Sequence, residues 1–142
     1  MRILCIDYGS KRHGLAISDP LGMTAQPYET FERKTTQIDM DRFLKIVQEN
    51  DVASIVVGLP RNMDGSEAVH YNDVLSFAKE LEDYLGKHVA TWDERLSTAQ
   101  AERMLISADT SRKKRKKVID KVAATLILQS YLDAHPGILQ HK

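Results

Sequence analysis

The sequence predicts an α/β fold, in which a mixed five-stranded sheet of three antiparallel strands followed by two parallel ones is flanked by helices. Two observations favour it. Short apolar runs near the N-terminus are separated only by turn residues, and later apolar runs alternate with amphipathic segments long enough to return the chain in parallel. With 142 residues the chain has the length of one domain, and we expect a single domain over residues 1–142.

The first three strands are predicted as a meander over residues 3–6, 13–18 and 23–30. The first is a continuous apolar run that stops at Asp7, which is typical of a strand covered on both faces. Residues 19–22 contain a proline and a glycine and separate the second strand from the third. Links this short join antiparallel neighbours.

Helices and strands alternate in the rest of the chain. The helical segments carry apolar residues at three- and four-residue spacing, which places those residues on one face of a helix. In chain order we expect a helix over residues 39–49, a strand over 54–57, a helix over 67–85, a strand over 89–92, and helices over 97–107 and 118–135. A basic loop is expected before the last helix. Each helical crossover returns the chain parallel to the previous strand.

Composition excludes several classes of protein. Apolar residues make up 42% of the chain and charged residues 28%, as in globular proteins and unlike disordered ones. No apolar run is long enough to span a bilayer or to form a signal peptide, so we expect a cytoplasmic protein without a membrane partner. Cys5 is the only cysteine, and no histidine stands at a spacing typical of zinc ligands.

Acidic residues at three positions are candidates for one catalytic metal site. Asp7 and Glu94 follow apolar strands directly, at the edge where an open sheet places its ligand crevice. Asp120 is predicted in the first turn of the last helix, in line with Ala124 and Ile127. Carboxylates brought together without a cation repel by about 4 kcal/mol per pair, so Mg²⁺ or Mn²⁺ is predicted between them. The alternative for each residue is a turn former or a cap stabilised by the helix dipole.

The positive charges of the chain are unevenly placed, although its formal net charge is zero. Candidate phosphate ligands are Lys11, Arg12 and Arg61 in turns at the expected active edge, and Arg95 directly after Glu94. A run of six consecutive cations forms a further candidate nucleic-acid-binding segment: Arg112, Lys113, Lys114, Arg115, Lys116 and Lys117. For the turn cations and the basic run a solvated surface is the alternative interpretation, and for Arg95 it is an ion pair with Asp93 or Glu102.

Four blocks of the sequence resemble the family of YqgF or RuvX-like proteins. The resemblance covers nearly the whole chain and implies a ribonuclease H-like fold, with acidic site residues at Asp7, Glu94 and Asp120. It further implies a metal-dependent nuclease, a hydrolase that processes the 5′ end of pre-16S rRNA in ribosome biogenesis or that resolves Holliday junctions in recombination and repair. The blocks are Asp7-Tyr8-Gly9 with Arg12 and Gly14, Gly58-Leu59-Pro60 with Asp64-Gly65, Asp93 to Thr98, and Asp120 to Ala124 continuing into Ile127-Leu128.

Two other classes of function stay open at this point. Asp7-Tyr8-Gly9 followed by a hairpin also resembles the phosphate-binding start of sugar kinases and actin-type ATPases, although those proteins enclose a nucleotide between two such domains. A non-catalytic RNA-binding factor of ribosome assembly is the other. A Walker loop is excluded because Leu15 and Ala16 stand where lysine and a hydroxyl residue are needed. RNA or DNA as the substrate, one metal or two, and monomer or homodimer are not distinguished by the sequence.

Overall fold

The computed structural model describes residues 1–60, 69–93 and 112–139, and for residues 112–122 it describes the backbone alone. Five strands of these segments form one sheet: β1 (Arg2–Asp7), β2 (Arg12–Ser18), β3 (Ala25–Glu32), β4 (Val52–Leu59) and β5 (His88–Asp93). The helices of the same segments are α1 (Thr36–Glu49), α2 (Tyr71–Leu85) and α3 (Arg112–Ala134). The predicted helix over residues 97–107 lies outside the described residues.

The strands are arranged in the order β3-β2-β1-β4-β5, and this confirms the predicted mixed sheet. β1 pairs antiparallel with β2, and β2 pairs antiparallel with β3, because short turns join them. β4 runs parallel to β1, and β5 runs parallel to β4. The carboxyl ends of β1, β4 and β5 therefore lie at the same edge of the sheet.

Each face of the sheet is covered by its own hydrophobic core. Leu4 and Ile6 point toward α1 and α2, whereas Ile3 and Cys5 point toward α3, where they meet side chains such as Ala124. Successive residues of a strand point to opposite faces. This two-sided burial explains why β1 is a continuous apolar run in the sequence.

Helix α3 is held in place by hydrogen bonds to the two edge strands of the sheet, β3 and β5. The side-chain oxygen Oε1 of Gln129 accepts the backbone N–H of Ala25 at 2.9 Å, so it acts as a hydrogen-bond partner at the start of β3. On the other side of the sheet, Nε1 of Trp92 in β5 donates to Oγ of Ser130 at 3.1 Å, and its ring packs edge-on against Tyr131. These contacts fix the helix over the face to which Ile3 and Cys5 contribute.

The start of α3 differs from the prediction. The helix begins at Arg112, so the six cations from Arg112 to Lys117 belong to its first turns and do not form a loop before it. The prediction was wrong because lysine and arginine are good helix formers, and no glycine or proline interrupts the chain between residues 112 and 118. Within the described segments no helix is both long enough and apolar enough to cross a membrane.

The starts of the two crossover helices also differ. α1 begins at Thr36 instead of residue 39, because Oγ1 of Thr35 accepts the N–H of Ile38 at 3.2 Å and caps the helix. Asp39 lies inside the helix, where its buried carboxylate accepts the N–H of Lys34 at 3.0 Å. α2 begins at Tyr71 instead of residue 67, since residues 69 and 70 form a turn.

Candidate active site

Asp7 is the last residue of β1 and lies on the sheet face that α3 covers. Ile3 and Cys5 pack into the core beneath α3, and the alternation of the strand places Asp7 on the same side. Its side chain is half-buried, between the closed core and the solvent at the carboxyl edge. The prediction that Asp7 ends a central strand is confirmed, since β1 is the middle strand of the sheet.

Glycines flank Asp7 on both neighbouring strands. Gly14 of β2 is its register partner, and Gly58 of β4 follows Val57, the partner of Ile6. Since Ala16 and Val56 pack beneath α3, both glycines belong to the same face of the sheet as Asp7. A glycine inside a strand often marks a place where a ligand approaches the backbone. The positions of β2 and β4 beside Asp7 on this face therefore carry no side chain of their own.

The turn after Asp7 is tight and requires glycine at one position. A Cβ atom on Gly9 would overlap with the carbonyl oxygen of Arg12, because the backbone folds back closely on itself. The N–H of Gly9 donates to Nδ1 of His13 at 3.4 Å, which ties the turn to the first core residue of β2. Of the predicted phosphate ligands, Lys11 lies in the turn that follows Asp7, whereas Arg12, expected in the same turn, is the first residue of β2 and pairs with Glu32 of β3.

Arg33 holds the same turn from outside. Its Nη1 donates to the carbonyl oxygens of Gly9 at 3.1 Å and Ser10 at 3.3 Å, and its backbone N–H donates to the carbonyl of Lys11 at 2.9 Å. The guanidinium also lies 4.8 Å from the centre of the Tyr8 ring. Sequence reasoning missed Arg33, because residues so far apart in the chain meet only through the pairing of β2 with β3.

His13 is a residue of the hydrophobic core. Its ring is 1% exposed and lies among the rings of Tyr8, Phe31, Phe43 and Phe77. Burial, together with the charge of Arg33, lowers the pKa of His13 from 6.5 to about 4, so the ring is neutral at pH 7. The alternation of His13, Leu15 and Ile17 was the sequence signal for this core position.

Asp120 lies well inside α3, since the helix begins eight residues earlier at Arg112. The expectation that it opens the last helix was wrong, and the dipole of a helix start no longer accounts for an acid at this position, because that effect is confined to the first turn. Asp120 precedes Ala124 by four residues and Ile127 by seven, and both of these pack on the sheet.

The side chains of the remaining predicted site residues are not among those that the structure describes. Arg61, Glu94 and Arg95 lie outside the described residues, and of Asp120 and the basic run only the backbone is described. Among the side chains that the structure describes, no group of three or more His, Cys, Asp or Glu residues is placed to hold a metal ion. The described part of the predicted site is thus Asp7, Lys11 and Arg12.

We expect Gly9→Ala to destabilise the fold by roughly 1–3 kcal/mol, because the new methyl group meets backbone that cannot move without opening the turn. Urea unfolding measures this loss. Gly86→Ala is the matched control: Gly86 has a φ of 65° and no atom within 4 Å of an added Cβ, so only the conformational cost of about 1 kcal/mol applies. Equal losses in the two variants would contradict a steric role of Gly9.

Solved structures of two Holliday junction resolvases have the same fold as this chain. RuvC of Thermus thermophilus in complex with a Holliday junction substrate superposes with a TM-score of 0.59 at 16% identity, covering 97% of each chain. The Fowlpox virus resolvase in complex with Holliday junction DNA gives a TM-score of 0.58 at 15% identity, covering 94% of this chain and 98% of the other. The fold is therefore the ribonuclease H-like fold of these resolvases.

Sequence comparison identifies the family. The family model described as RuvX, Holliday junction resolvase, matches residues 1–134. A protein of Desulforamulus reducens, provisionally named pre-16S rRNA nuclease, is 51% identical over 134 residues, which cover 94% of this chain and 98% of the relative. A protein of Halalkalibacterium halodurans with the same name is 53% identical over 135 residues, covering 94% and 96%. The chain belongs to the RuvX family, and the predicted resemblance is confirmed.

Proposed function

We propose that this chain is a metal-dependent nuclease, one domain over residues 1–142, that uses Asp7, Glu94 and Asp120 to hydrolyse phosphodiester bonds. The observation that carries the proposal is the position of Asp7, which stands at the carboxyl edge of β1 between two glycines and beneath the helix that contains Asp120. Family membership supports the nuclease class, since the relatives are named as nucleases.

The residues at this edge fit a hard divalent cation. Carboxylate oxygens are the ligands that Mg²⁺ and Mn²⁺ prefer, and the glycines beside Asp7 place no side chains at the neighbouring positions of β2 and β4. Glu94 follows β5 directly in the sequence, and β5 ends at the same edge of the sheet as β1. Asp120 precedes Ala124 by four residues in α3, the helix that covers the face of Asp7.

Different residues of the chain would have different roles in cleavage. Asp7, at the end of a strand that both cores hold in place, would provide one ligand oxygen. Lys11, in the turn held by Arg33, and Arg12, at the start of β2, would neutralise the phosphates on either side of the bond that is cut. When bound, Mg²⁺ or Mn²⁺ would act as a Lewis acid on the phosphodiester and would lower the pKa of the attacking water.

We propose pre-16S rRNA as the substrate, with processing of its 5′ end in the cytoplasm during ribosome biogenesis. The names of relatives about half identical to this chain support this choice. Resolution of four-way DNA is the second candidate, which the description of the family and the fold of the junction resolvases favour. A resolvase cuts two strands symmetrically and would act as a homodimer, whereas trimming of one RNA end needs only a monomer.

The test is a cleavage assay on both substrates. Purified protein is incubated with 5′-extended small-subunit rRNA precursor and, separately, with a four-way DNA junction, in Mg²⁺, in Mn²⁺ and in chelator. We expect cleavage of the RNA at its 5′ side in metal and none in chelator. Cleavage of the junction alone would select the resolvase, while binding of RNA without cleavage under any condition would favour a non-catalytic assembly factor.

The basic start of α3 is expected to contact phosphates. Six consecutive helical positions are distributed around the whole helix axis, so about half of them can meet one nucleic-acid surface. Replacing Arg112 to Lys117 with glutamine should therefore reduce the slope of log affinity against log salt by about 2–3. Fluorescence anisotropy over a series of salt concentrations measures it. Lys45→Gln with Lys79→Gln, at exposed positions of α1 and α2, is the control; an unchanged slope in the six-residue variant would contradict a binding role.

A further inference from the structure

A cavity of about 220 Å³ lies on the sheet face opposite Asp7. It is bordered by the first half of α1, by α2 between Asp73 and Glu80, and by the residue that follows β1, Tyr8. Tyr8, the neighbour of Asp7 in sequence, lines it, so the cavity begins where the candidate active site ends. The proposed nuclease mechanism uses none of its volume.

The inner wall of the cavity is aromatic. The rings of Tyr8, His13 and Phe77 lie with their centres 4.8–5.2 Å from one another, and His13 is stacked on Phe77 with an angle of 20° between the rings. Phe77 and His13 are buried, at 8% and 1% exposed, so the half-buried ring of Tyr8 is the part of this wall that a ligand can contact, and a planar ligand can pack against it.

His13 also brings a buried donor to this wall. Since Nδ1 accepts the N–H of Gly9, the neutral ring carries its proton on Nε2. This Nε2–H donates to no acceptor among the residues that the structure describes, although the ring is 1% exposed. Because His13 lines the cavity, a ligand acceptor or a water molecule there can accept this N–H.

The outer rim of the cavity has the complementary groups. Asp73, Ser76 and Glu80 lie along one side of α2 and offer acceptors, while Arg33 binds the turn through Nη1 and keeps its other guanidinium donors. Asp39 of α1 adds a third carboxylate to the lining.

These groups distinguish between kinds of ligand. A phosphate would meet three carboxylates, Asp39, Asp73 and Glu80, against the single guanidinium of Arg33. A simple cation would leave the Nε2–H of His13 without an acceptor. A neutral planar ring with donors and acceptors on its edge satisfies the aromatic wall, the buried donor and the carboxylates together, and a nucleobase is such a ring.

We infer that the cavity binds one unpaired nucleobase of a single-stranded nucleic acid. The inference rests on the proposed function, because the base belongs to the nucleic-acid strand that is bound at the candidate active site. From Asp7 the nucleic-acid strand continues over the turn that contains Gly9. An unpaired base a few nucleotides from the cleavage position then enters the cavity between α1 and α2. Base pairing or a tight junction arm would prevent this entry, so the cavity selects for single-stranded flanks.

The test is a binding experiment in chelator, without cleavage. A fluorescently labelled single-stranded RNA that spans the cleavage region of the rRNA precursor is prepared intact and with one abasic position at a time. We expect wild-type protein to lose affinity about ten-fold at one abasic position and little at the others. Ser76→Phe, which fills the cavity from an exposed position, should bind the intact RNA about ten-fold more weakly and should lose nothing further at that abasic position.

Asn72→Phe is the matched control, because Asn72 is exposed on α2 and does not line the cavity. We expect it to bind as the wild type does. In addition, the NMR signal of the His13 Nε2–H should shift and exchange more slowly on addition of intact RNA. The inference would be overturned if every abasic position lowered the affinity equally, or if Ser76→Phe bound the intact RNA as tightly as the wild type does. A protein that binds in this way but never cleaves would instead overturn the proposed nuclease function.

Discussion

Asp7→Asn, Glu94→Gln and Asp120→Asn are each expected to lower metal-dependent cleavage by about 100-fold or more, and pairs of these substitutions are expected to cost little beyond a single one. Each substitution removes one ligand charge with little change of shape. Groups that act as one unit lose their function together, so the effects of their removal are far from additive. Single-turnover cleavage rates at saturating Mg²⁺ measure the losses, and thermal unfolding of each variant shows whether the fold is kept.

Asp93→Asn is the control for this set. Asp93 precedes Glu94 directly, but Ala90 and Trp92 pack on the α3 face, and the alternation of β5 places Asp93 on the opposite side. We expect its cleavage rate to stay near that of the wild type. If Asp93→Asn lost as much activity as Asp7→Asn, or if the three losses multiplied in the double variants, a common metal site would be the wrong description.

Acidification from pH 6.5 to pH 4 is expected to cost the fold about 3 kcal/mol through His13 alone. Burial lowers the pKa of His13 to about 4 in the folded chain, against 6.5 for an unperturbed histidine. Above pH 6.5 the ring is neutral in both states and has no effect. Below it the unfolded chain binds the proton first, so the free energy of unfolding falls by about 1 kcal/mol per pH unit until the folded ring is protonated too.

Urea unfolding at a series of pH values tests this expectation. His13→Phe removes the titrating group and keeps an aromatic ring in the core, so its free energy of unfolding should depend less on pH than that of the wild type between pH 6.5 and pH 4. His88→Gln is the control for the removal of a histidine outside the core, because the side chain of His88 is 73% exposed. The same slope in His13→Phe and wild type would show that other groups cause the acid sensitivity.

The local pattern of the sequence determined the sheet. The apolar run from Ile3 to Ile6 and the turn residues after Asp7 predict a buried central strand, and helical periodicity before residues 54 and 89 predicts parallel crossovers. Each of these signals depends on neighbours within a few residues of the chain. The same local patterns placed Asp7 correctly at the end of β1, since the end of an apolar run coincides with the end of the strand.

Only the tertiary structure decided what surrounds Asp7. The register of β2 and β4 against β1 brings Gly14 and Gly58 to its two sides, and the pairing of β2 with β3 brings Arg33 onto the Gly9 turn. Strand registers depend on the packing of whole faces, and no short segment of the sequence contains that information. The cavity beside His13 has the same origin, because it forms between two helices and a turn that meet only after the chain has folded.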